Sequence, residues 1–443
     1  MGGSPYQDIF DRTDKIDLED RRRVGLVTAT LLLRRQEWQH RRVELVTFED
    51  QGVTRRRNSV DFTVPRWAFR YLGVDEDEST QIAVPLTLFR KGSLVNFNLS
   101  NEGNDAVPLL SGSHAGAMAE MALLSTAELL LPSGHVPDET ASDIRQLTNE
   151  RDAVCARKAL GRLFATTEPD AQSRGLLKSH PIFSPLATTF ANNYMGAVLL
   201  DLRPGERRII HFAFDEQRPE LDDGRIKMQA MFELLYGRRD YEVLVLASAA
   251  GDAASFHIEA EAPEGLDISS RETYFGVSGK EPDEKEGFFR RAHIHYTNLP
   301  AATRLGLVVR LTPRSSTLIR AGALSSALTL IAVLVIRLQL GDIIGNKASG
   351  EAAILLVTPT LLSIYVGRAN EHPTTTHILW PIRIAATAPG ILSFAAAVVL
   401  VSGGTDFWSK ATLWGVVGLL ALNTWVLARL WRRARRLRRS NQR

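Results

Sequence analysis

Four runs without a charged residue lie in the last third of this chain and limit its fold more than any other feature. They cover residues 321–336, 352–366, 384–404 and 411–428. A helix of about 20 apolar residues crosses the hydrocarbon core of a bilayer, and flanking apolar residues extend the shorter runs. The sequence therefore predicts four transmembrane helices, at approximately 318–340, 351–367, 383–404 and 408–430.

The second run is the shortest of the four and contains Pro359. An alternative for this run is a buried or re-entrant segment, since irregular backbone is tolerated at membrane depth only inside protein or beside a cavity. In that case the two termini would lie on opposite sides of the membrane.

Basic residues next to the predicted spans set the expected orientation, because lysine and arginine concentrate in short cytoplasmic flanks. One side holds Arg310, Arg314, Arg320, Arg368, Arg383 and the eight arginines from Arg429 onward. The other side holds only Arg337, Lys347 and Lys410. This imbalance places both termini in the cytoplasm, and the first thirty residues lack the apolar region of a signal peptide. We expect a multi-pass protein of a bacterial cytoplasmic (inner or plasma) membrane.

The chain ends in ARLWRRARRLRRSNQR, which contains eight arginines and no acidic residue. Without these arginines the formal charge falls from +3 to −5, so the pI of about 9.0 reflects the tail alone. Because the tail follows a predicted span directly, anionic lipid headgroups are its expected partner, and nucleic acid is disfavoured. The residues assigned to membrane-surface contact and topology are Arg429, Arg432, Arg433, Arg435, Arg436, Arg438 and Arg439.

The preceding 315 residues form the predicted cytosolic module. Short β-branched runs such as VGLVTATLLLRR (24–35) and the alternating NSVDFTVP (58–65) are typical of strands. Turn residues between such runs favour antiparallel sandwiches. The predicted fold class is α+β: a β-rich, antiparallel sandwich-like cytosolic region followed by a C-terminal four-helix transmembrane bundle.

Six segments follow from these patterns. They are a polar lead-in (1–22), a β-rich unit (23–110), a helical insert or bridge (111–175), a second β-sandwich-like unit (176–315), the transmembrane helices (316–431) and a basic cytoplasmic tail (432–443). Within them we predict an edge strand or bulge at Pro85, a helix cap at Asp138, a buried Cys155, a hairpin around Pro204–Gly205 and a short helix at 225–237.

Searches for catalytic motifs give negative results. The sequence contains no GxxxxGK[ST], HExxH or GxSxG motif and no GxGxxG after a strand. With a single cysteine, neither an intrachain disulfide nor a cysteine-based zinc cluster can form. Serines 111, 113 and 133 near His114 and His135 are explained by turn chemistry. No cofactor is expected, and no catalytic role is assigned.

One polar set could bind a metal. His257 and Glu259 are two residues apart, as are His293 and His295, so each pair shares one face of a strand. If the two strands are neighbours, three imidazoles and a carboxylate could converge on a divalent ion. The alternative is the polar outer face of a half-exposed sheet.

No Asp, Glu, Lys, Arg or His lies inside the four uncharged runs, although ion and proton pathways normally contain such groups. The leading hypothesis is therefore a polytopic membrane protein whose cytosolic module binds a protein partner or regulates a membrane assembly, with homo-oligomers through the membrane helices. The alternative is a membrane effector or pore gated by the module. A weaker alternative is a metal-dependent enzyme that uses the histidine face.

Overall fold

A computed structural model describes residues 18–49, 53–75, 79–92, 94–165, 171–217, 241–247, 249–275, 285–300, 303, 305–313, 317–338, 356–357, 361, 373–401 and 407–440. Within these ranges the chain is an α+β protein with a β-rich N-terminal region and three apolar C-terminal helices. The helix predicted at 225–237 and most of the lead-in lie outside the described residues.

The helices and strands have the following bounds. The helices are α1 (Leu18–Leu33), α2 (Arg35–Trp38), α3 (Arg66–Tyr71), α4 (Gly112–Leu130), α5 (Asp138–Asn149), α6 (Ala153–Leu163), α7 (Ala171–Ser179), α8 (Phe183–Asn192), α9 (Thr317–Leu338), α10 (Pro373–Val401) and α11 (Phe407–Ser440). The strands are β1 (Gln39–Phe48), β2 (Val53–Thr63), β3 (Thr80–Arg90), β4 (Val95–Asn101), β5 (Asn193–Leu202), β6 (Arg207–Gln217), β7 (Tyr241–Ala247), β8 (Ser255–Glu261), β9 (Leu266–Phe275), β10 (Lys285–Phe289), β11 (Arg291–Thr297) and β12 (Leu305–Pro313).

The strand predicted at VGLVTATLLLRR is wrong, because these residues form most of helix α1. Val24, Val27 and Leu31 are fully buried at helical spacing. A Cβ on Gly25 would collide with the backbone oxygen of Met121 in α4, so the two helices approach closely there. Tertiary burial has overridden the β propensity of these residues.

The predicted helical segment divides into several helices. Pro137 caps α5, so Asp138 is the first helical residue rather than the cap. Asp152 caps α6, since its side chain accepts hydrogen bonds from the N–H groups of Val154 at 2.7 Å and Cys155 at 2.9 Å. The prediction that Cys155 is buried is wrong: the residue is exposed on the first turn of α6.

Ten of the strands form two sheets. One sheet has six strands in the order β11-β8-β1-β2-β6-β4, and the other has four in the order β10-β9-β12-β7. Neighbouring strands are antiparallel with one exception, since β1 and β8 run parallel from Arg41↔Ser255 to Thr47↔Glu261. The expectation of purely antiparallel sheets therefore fails at this pair, whose members are separated by more than 200 residues and several helices.

The predicted hairpin of β5 and β6 is wrong. The turn exists, with Gly205 at φ +81° and Glu206 N–H bonded to Arg203 O at 3.0 Å. The strands then diverge, because β5 pairs with β3 and β6 pairs with β2 and β4. The irregularity predicted at Pro85 is confirmed by a register shift between Pro85 and Thr87 in the β3–β5 ladder.

Strand pairing crosses the expected segment boundaries. β1, β2 and β3 come from the first predicted β-rich unit, and they pair with β8, β6 and β5 of the second. Backbone hydrogen bonds therefore connect the two units directly. Their status as separate domains stays a prediction.

The inner face of the six-stranded sheet contacts two hydrophobic clusters. At one end Val60 and Phe212 pack with the helices around α4. At the other end Val46 and Ile258 pack with residues of the four-stranded sheet such as Leu307. We call the second set the membrane-proximal core. Its apolar area stabilises the fold at roughly 25 cal/mol per Å² buried.

Three described helices are long and apolar enough to cross a membrane. The candidate spans are Ile319–Leu338, Trp380–Val399 and Lys410–Arg432. They correspond to the first, third and fourth predicted spans. The second predicted span lies outside the described residues except for 356–357 and 361, so the count of four stays a prediction.

Candidate functional site

The histidine face lies where the sequence pattern places it. Strands β8 and β11 are antiparallel neighbours, with His293 opposite Glu259 and His295 opposite His257. The residues that alternate with them, such as Ile258, are buried in the membrane-proximal core. All four polar residues therefore lie on the outer face of the six-stranded sheet.

The imidazoles form a connected row. His257 Nδ1 is 3.1 Å from His293 Nε2, and His257 Nε2 is 3.2 Å from Ser255 Oγ. The same Ser255 hydroxyl is 3.1 Å from His295 Nε2. The rings of His257 and His295 stack with centroids 4.2 Å apart. Glu259 Oε1 lies 4.0 Å from His293 Nε2, so the row has a carboxylate at one end.

The central imidazole is held neutral. Desolvation is the largest effect that lowers the pKa of His257 to about 4, from an ordinary value of 6.5. The neighbouring His295, Arg41 and His293 lower this pKa further by like-charge repulsion. At neutral pH the His257 ring therefore carries one proton. It donates a hydrogen bond to one neighbour, His293 or Ser255, and accepts one from the other.

This arrangement differs from a metal centre. Metal-bound imidazoles each direct one nitrogen at a common point. Here the two nitrogens of His257 face different neighbours, His293 and Ser255. No group of three or more His, Cys, Asp or Glu side chains among the described residues is arranged to hold a metal ion. A metal at His257, Glu259, His293 and His295 stays a prediction from the sequence.

Ser255 is a member of the row that sequence reasoning missed. It stands two residues before His257, so strand alternation places it on the same face. The same alternation that related His257 to Glu259 could have identified it. Ser255 pairs with Arg41 in the parallel β1–β8 ladder, so a cation lies beside the histidine row. This position of Arg41 depends on the strand order, which the sequence does not give.

The remainder of the outer face has an apolar centre with charged neighbours. Val43 and Leu45 of β1 are partly exposed, and Arg57 opposite Leu45 is exposed. Arg55 forms an ion pair of 3.0 Å with Asp215 on β6. The outer face therefore combines partly exposed apolar side chains with arginines.

The membrane helices join the β-rich region through its core. Ile319 near the start of α9 and Ile382 in α10 are members of the membrane-proximal core, 3% and 1% exposed. Leu430 and Trp431 in α11 pack against the same cluster. The start of α9, the first part of α10 and the end of the apolar run of α11 therefore lie at one end of the bundle, beside the sheets.

The opposite end of the bundle is marked by a second contact. The guanidinium of Arg337, in the last turn of α9, lies 5.3 Å from the ring centroid of Trp414, near the start of α11. The end of α9 and the start of α11 therefore lie together at this end of the bundle. Which end faces the cytoplasm stays a prediction.

Polar residues between the helices bond to one another. Asn423 on α11 donates to Ser326 Oγ on α9 at 3.1 Å and to the backbone oxygen of Ala385 on α10 at 2.9 Å. Ser326 Oγ is also 2.9 Å from Thr424 Oγ1. These bonds connect the three apolar helices α9, α10 and α11. They explain why polar side chains are tolerated between these helices.

The arginine tail continues helix α11 to Ser440. Arg429 lies over the ring of Trp425, 5.4 Å from its centroid, and Arg432 is exposed. The side chains of Arg433, Arg435, Arg436, Arg438 and Arg439 lie outside the described part of the structure. The assignment of these arginines to lipid contact is therefore a proposal.

The serine–histidine pairs make local contacts. Ser111 caps α4 by accepting from His114 N–H at 3.2 Å. Ser133 Oγ donates to His135 O at 3.0 Å. Neither contact joins a hydroxyl to an imidazole, so both fit the turn chemistry predicted from sequence.

No protein-family model, no curated protein and no solved structure matches this chain.

Proposed function

We propose that this protein is a multi-pass membrane protein whose cytosolic β-rich module binds a protein partner without a catalytic role. The observation that carries the proposal is the membrane-proximal core, in which Ile319 and Ile382 pack among residues of both sheets. A module fixed to its helices through a common core moves with them. Partner binding at the module would then act directly on the membrane helices.

The positions of the helix ends support four spans. α9 begins beside the sheets and ends at the Arg337 end of the bundle, whereas α10 begins beside the sheets again. The uncharged run at 352–366 lies between these two helices in the sequence, and we propose that it is the fourth span. Four spans with Arg320, Arg383 and the tail on one side give cytoplasmic termini by the positive-inside rule.

Contacts between the helices favour anchoring and assembly over a pore. The side chains of Ser326, Asn423 and Thr424 are used in bonds between helices. The membrane that we propose is a bacterial cytoplasmic membrane, with anionic headgroups bound by the arginine tail. Homo-oligomers form through the lipid-facing helix surfaces.

The outer face of the six-stranded sheet is the surface that we assign to the partner. The inner face of the same sheet is covered by two hydrophobic clusters. The membrane-proximal core, which the six-stranded sheet shares with the four-stranded sheet, supports a sandwich-like packing of the two sheets. The outer face presents partly exposed Val43 and Leu45 beside exposed Arg57 and the histidine row. A partner that buries this strip would gain apolar contact and charge complementarity.

Site-specific photo-crosslinking in native membranes tests the proposal. A photoreactive residue at Leu45 or Arg57 should give a discrete adduct with a second protein, and one at exposed Arg157 on α6 should give none. Equal crosslinking at all three positions, or none at Leu45 and Arg57, would refute the assigned surface. Dye release from liposomes by the purified full-length protein would instead favour the pore.

A further inference from the structure

A group of buried and partly buried charges lies between the two hydrophobic clusters of the six-stranded sheet. We call it the arginine junction, and its members are Arg35, Arg42, Glu44, Arg56 and Asp252. Arg42 and Glu44 are on the inner face of β1, and Arg56 is on β2. Asp252 belongs to the connection between β7 and β8. Arg35 is 5% exposed and Arg42 is 4% exposed, so neither guanidinium is solvated in the ordinary way.

The two carboxylates of the junction are already engaged. Glu44 bonds to Arg56 Nη1, and Asp252 bonds to Arg35 Nη1. Arg56 also donates from Nε to the partly exposed Glu216 at 2.6 Å. Burial acts to lower the pKa of Arg56, but Glu44 and Glu216 outweigh it and raise this pKa.

Among the described residues, the hydrogen-bond partners of Arg42 are neutral. It donates to Asn58 Oδ1 at 3.1 Å and to Thr87 Oγ1 at 3.2 Å, and it lies 5.6 Å from the ring centroid of Phe212. No carboxylate of the described residues is within hydrogen-bond distance of Arg42. Burial lowers the pKa of Arg42, the direction expected when desolvation outweighs the attraction of more distant carboxylates.

Several N–H groups at the junction have no acceptor among the described residues. They are Nε of Arg42 and both Nε and Nη2 of Arg35. The two arginines repel each other and both are attracted by Asp252, so they share one neighbourhood. Arg56 and Arg35 each bond to a carboxylate, whereas Arg42 is buried without one among the described residues. A buried unpaired charge is costly, and buried donors without acceptors add to this cost.

We propose that the arginine junction binds a small inorganic anion, held by the unpartnered N–H groups of Arg42 and Arg35. Chloride and small oxyanions such as phosphate share the required chemistry, a negative charge with several lone pairs. The anion supplies the missing acceptors at Arg42 of β1 and Arg35 of α2, and it gives Arg42 a negative partner. It thereby stabilises the contact between the helical layer and the membrane-proximal core. This inference does not depend on the proposed function.

Asn58 offers a sharp test, because N58D is isosteric and places a carboxylate against Arg42 from within the protein. We would measure the thermal unfolding midpoint of the full-length protein in detergent. Sodium gluconate would be replaced by sodium chloride or sodium phosphate at constant ionic strength. R57Q, which changes an exposed arginine on the opposite face of the same sheet, is the matched control.

We expect the midpoint of the wild type and of R57Q to rise saturably, by about 3 °C at tenfold the half-saturating anion concentration. N58D should lose this response, since its own carboxylate replaces the anion. A response to phosphate alone would identify an oxyanion site, and a response to both would identify a general anion site. Wild-type midpoints that are independent of the anion would overturn the proposal, as would an undiminished response of N58D. If N58D does not fold, the saturable wild-type response decides.

Discussion

His257 Nδ1 lies 3.1 Å from His293 Nε2 across the antiparallel β8–β11 pair. A hydrogen bond between two imidazoles needs one donor and one acceptor, so these facing nitrogens cannot both carry protons. One imidazole of the pair therefore donates and the other accepts. Because the pKa of His257 is lowered to about 4, this part of the outer face responds to acid through His257.

Acid should destabilise the protein through His257. Its pKa is about 4 in the folded protein and 6.5 ordinarily, so the unfolded chain binds a proton first as pH falls. The stabilisation is complete above pH 6.5 and is lost between pH 6.5 and 4. H257Q should flatten this part of a plot of unfolding midpoint against pH. H135Q, at an exposed loop position, serves as the control and should keep the slope.

Ile382 should matter more than an equally apolar residue that faces lipid. I382A removes a 1%-exposed side chain from the membrane-proximal core and should destabilise the protein by about 3 kcal/mol. Ile391 on the same helix is 70% exposed, so I391A should have little effect. Thermal unfolding in detergent compares them. Equal losses in the two variants would argue against the shared core.

Asn423 should stabilise the association of the helices. N423L removes its bonds to Ser326 and Ala385 and should cost about 1 kcal/mol, in line with polar contacts between membrane helices. T412V is the control, because the Thr412 hydroxyl donates to Trp408 O within its own helix and to no other helix in the described part of the chain. Unfolding in mixed detergent micelles measures the difference. A larger loss in T412V would contradict this role.

Gly25 and Gly161 form a matched pair of helical glycines. G25A would push a methyl group into Met121 O on α4 and should destabilise the protein by about 2 kcal/mol. G161A meets no atom within 4 Å and should stabilise α6 by up to about 1 kcal/mol through helix propensity. Chemical denaturation of both variants checks the opposite signs. Stabilisation by G25A would show that α1 and α4 are further apart.

Local patterns predicted a substantial part of the fold. The uncharged runs identified three of the apolar helices, and the turn at Pro204–Gly205 and the bulge at Pro85 followed from residue type. Alternation also placed His257 and His293 on faces that could meet. Each of these features depends on residues that are close together in the sequence, so one sequence is enough to predict it.

Patterns that depend on distant partners were misread. The β-branched run before Leu33 forms a helix because α4 buries its apolar side. Strands β5 and β6 leave their shared turn for different partners. Cys155 is exposed because α6 begins there, after the cap at Asp152. Propensity is weak compared with the burial that tertiary contacts provide.

The sequence by itself determined that this chain has apolar helices after a β-rich region, because hydropathy and charge act on each segment separately. Only the tertiary structure decided that β1 runs parallel to β8 and that Ser255 joins the histidines. It also decided that Arg35 and Arg42 are both buried, although the sequence around them has the polar character of an exposed segment. Such relations arise when strands from distant parts of the chain bury a common face, and no local pattern encodes the partner.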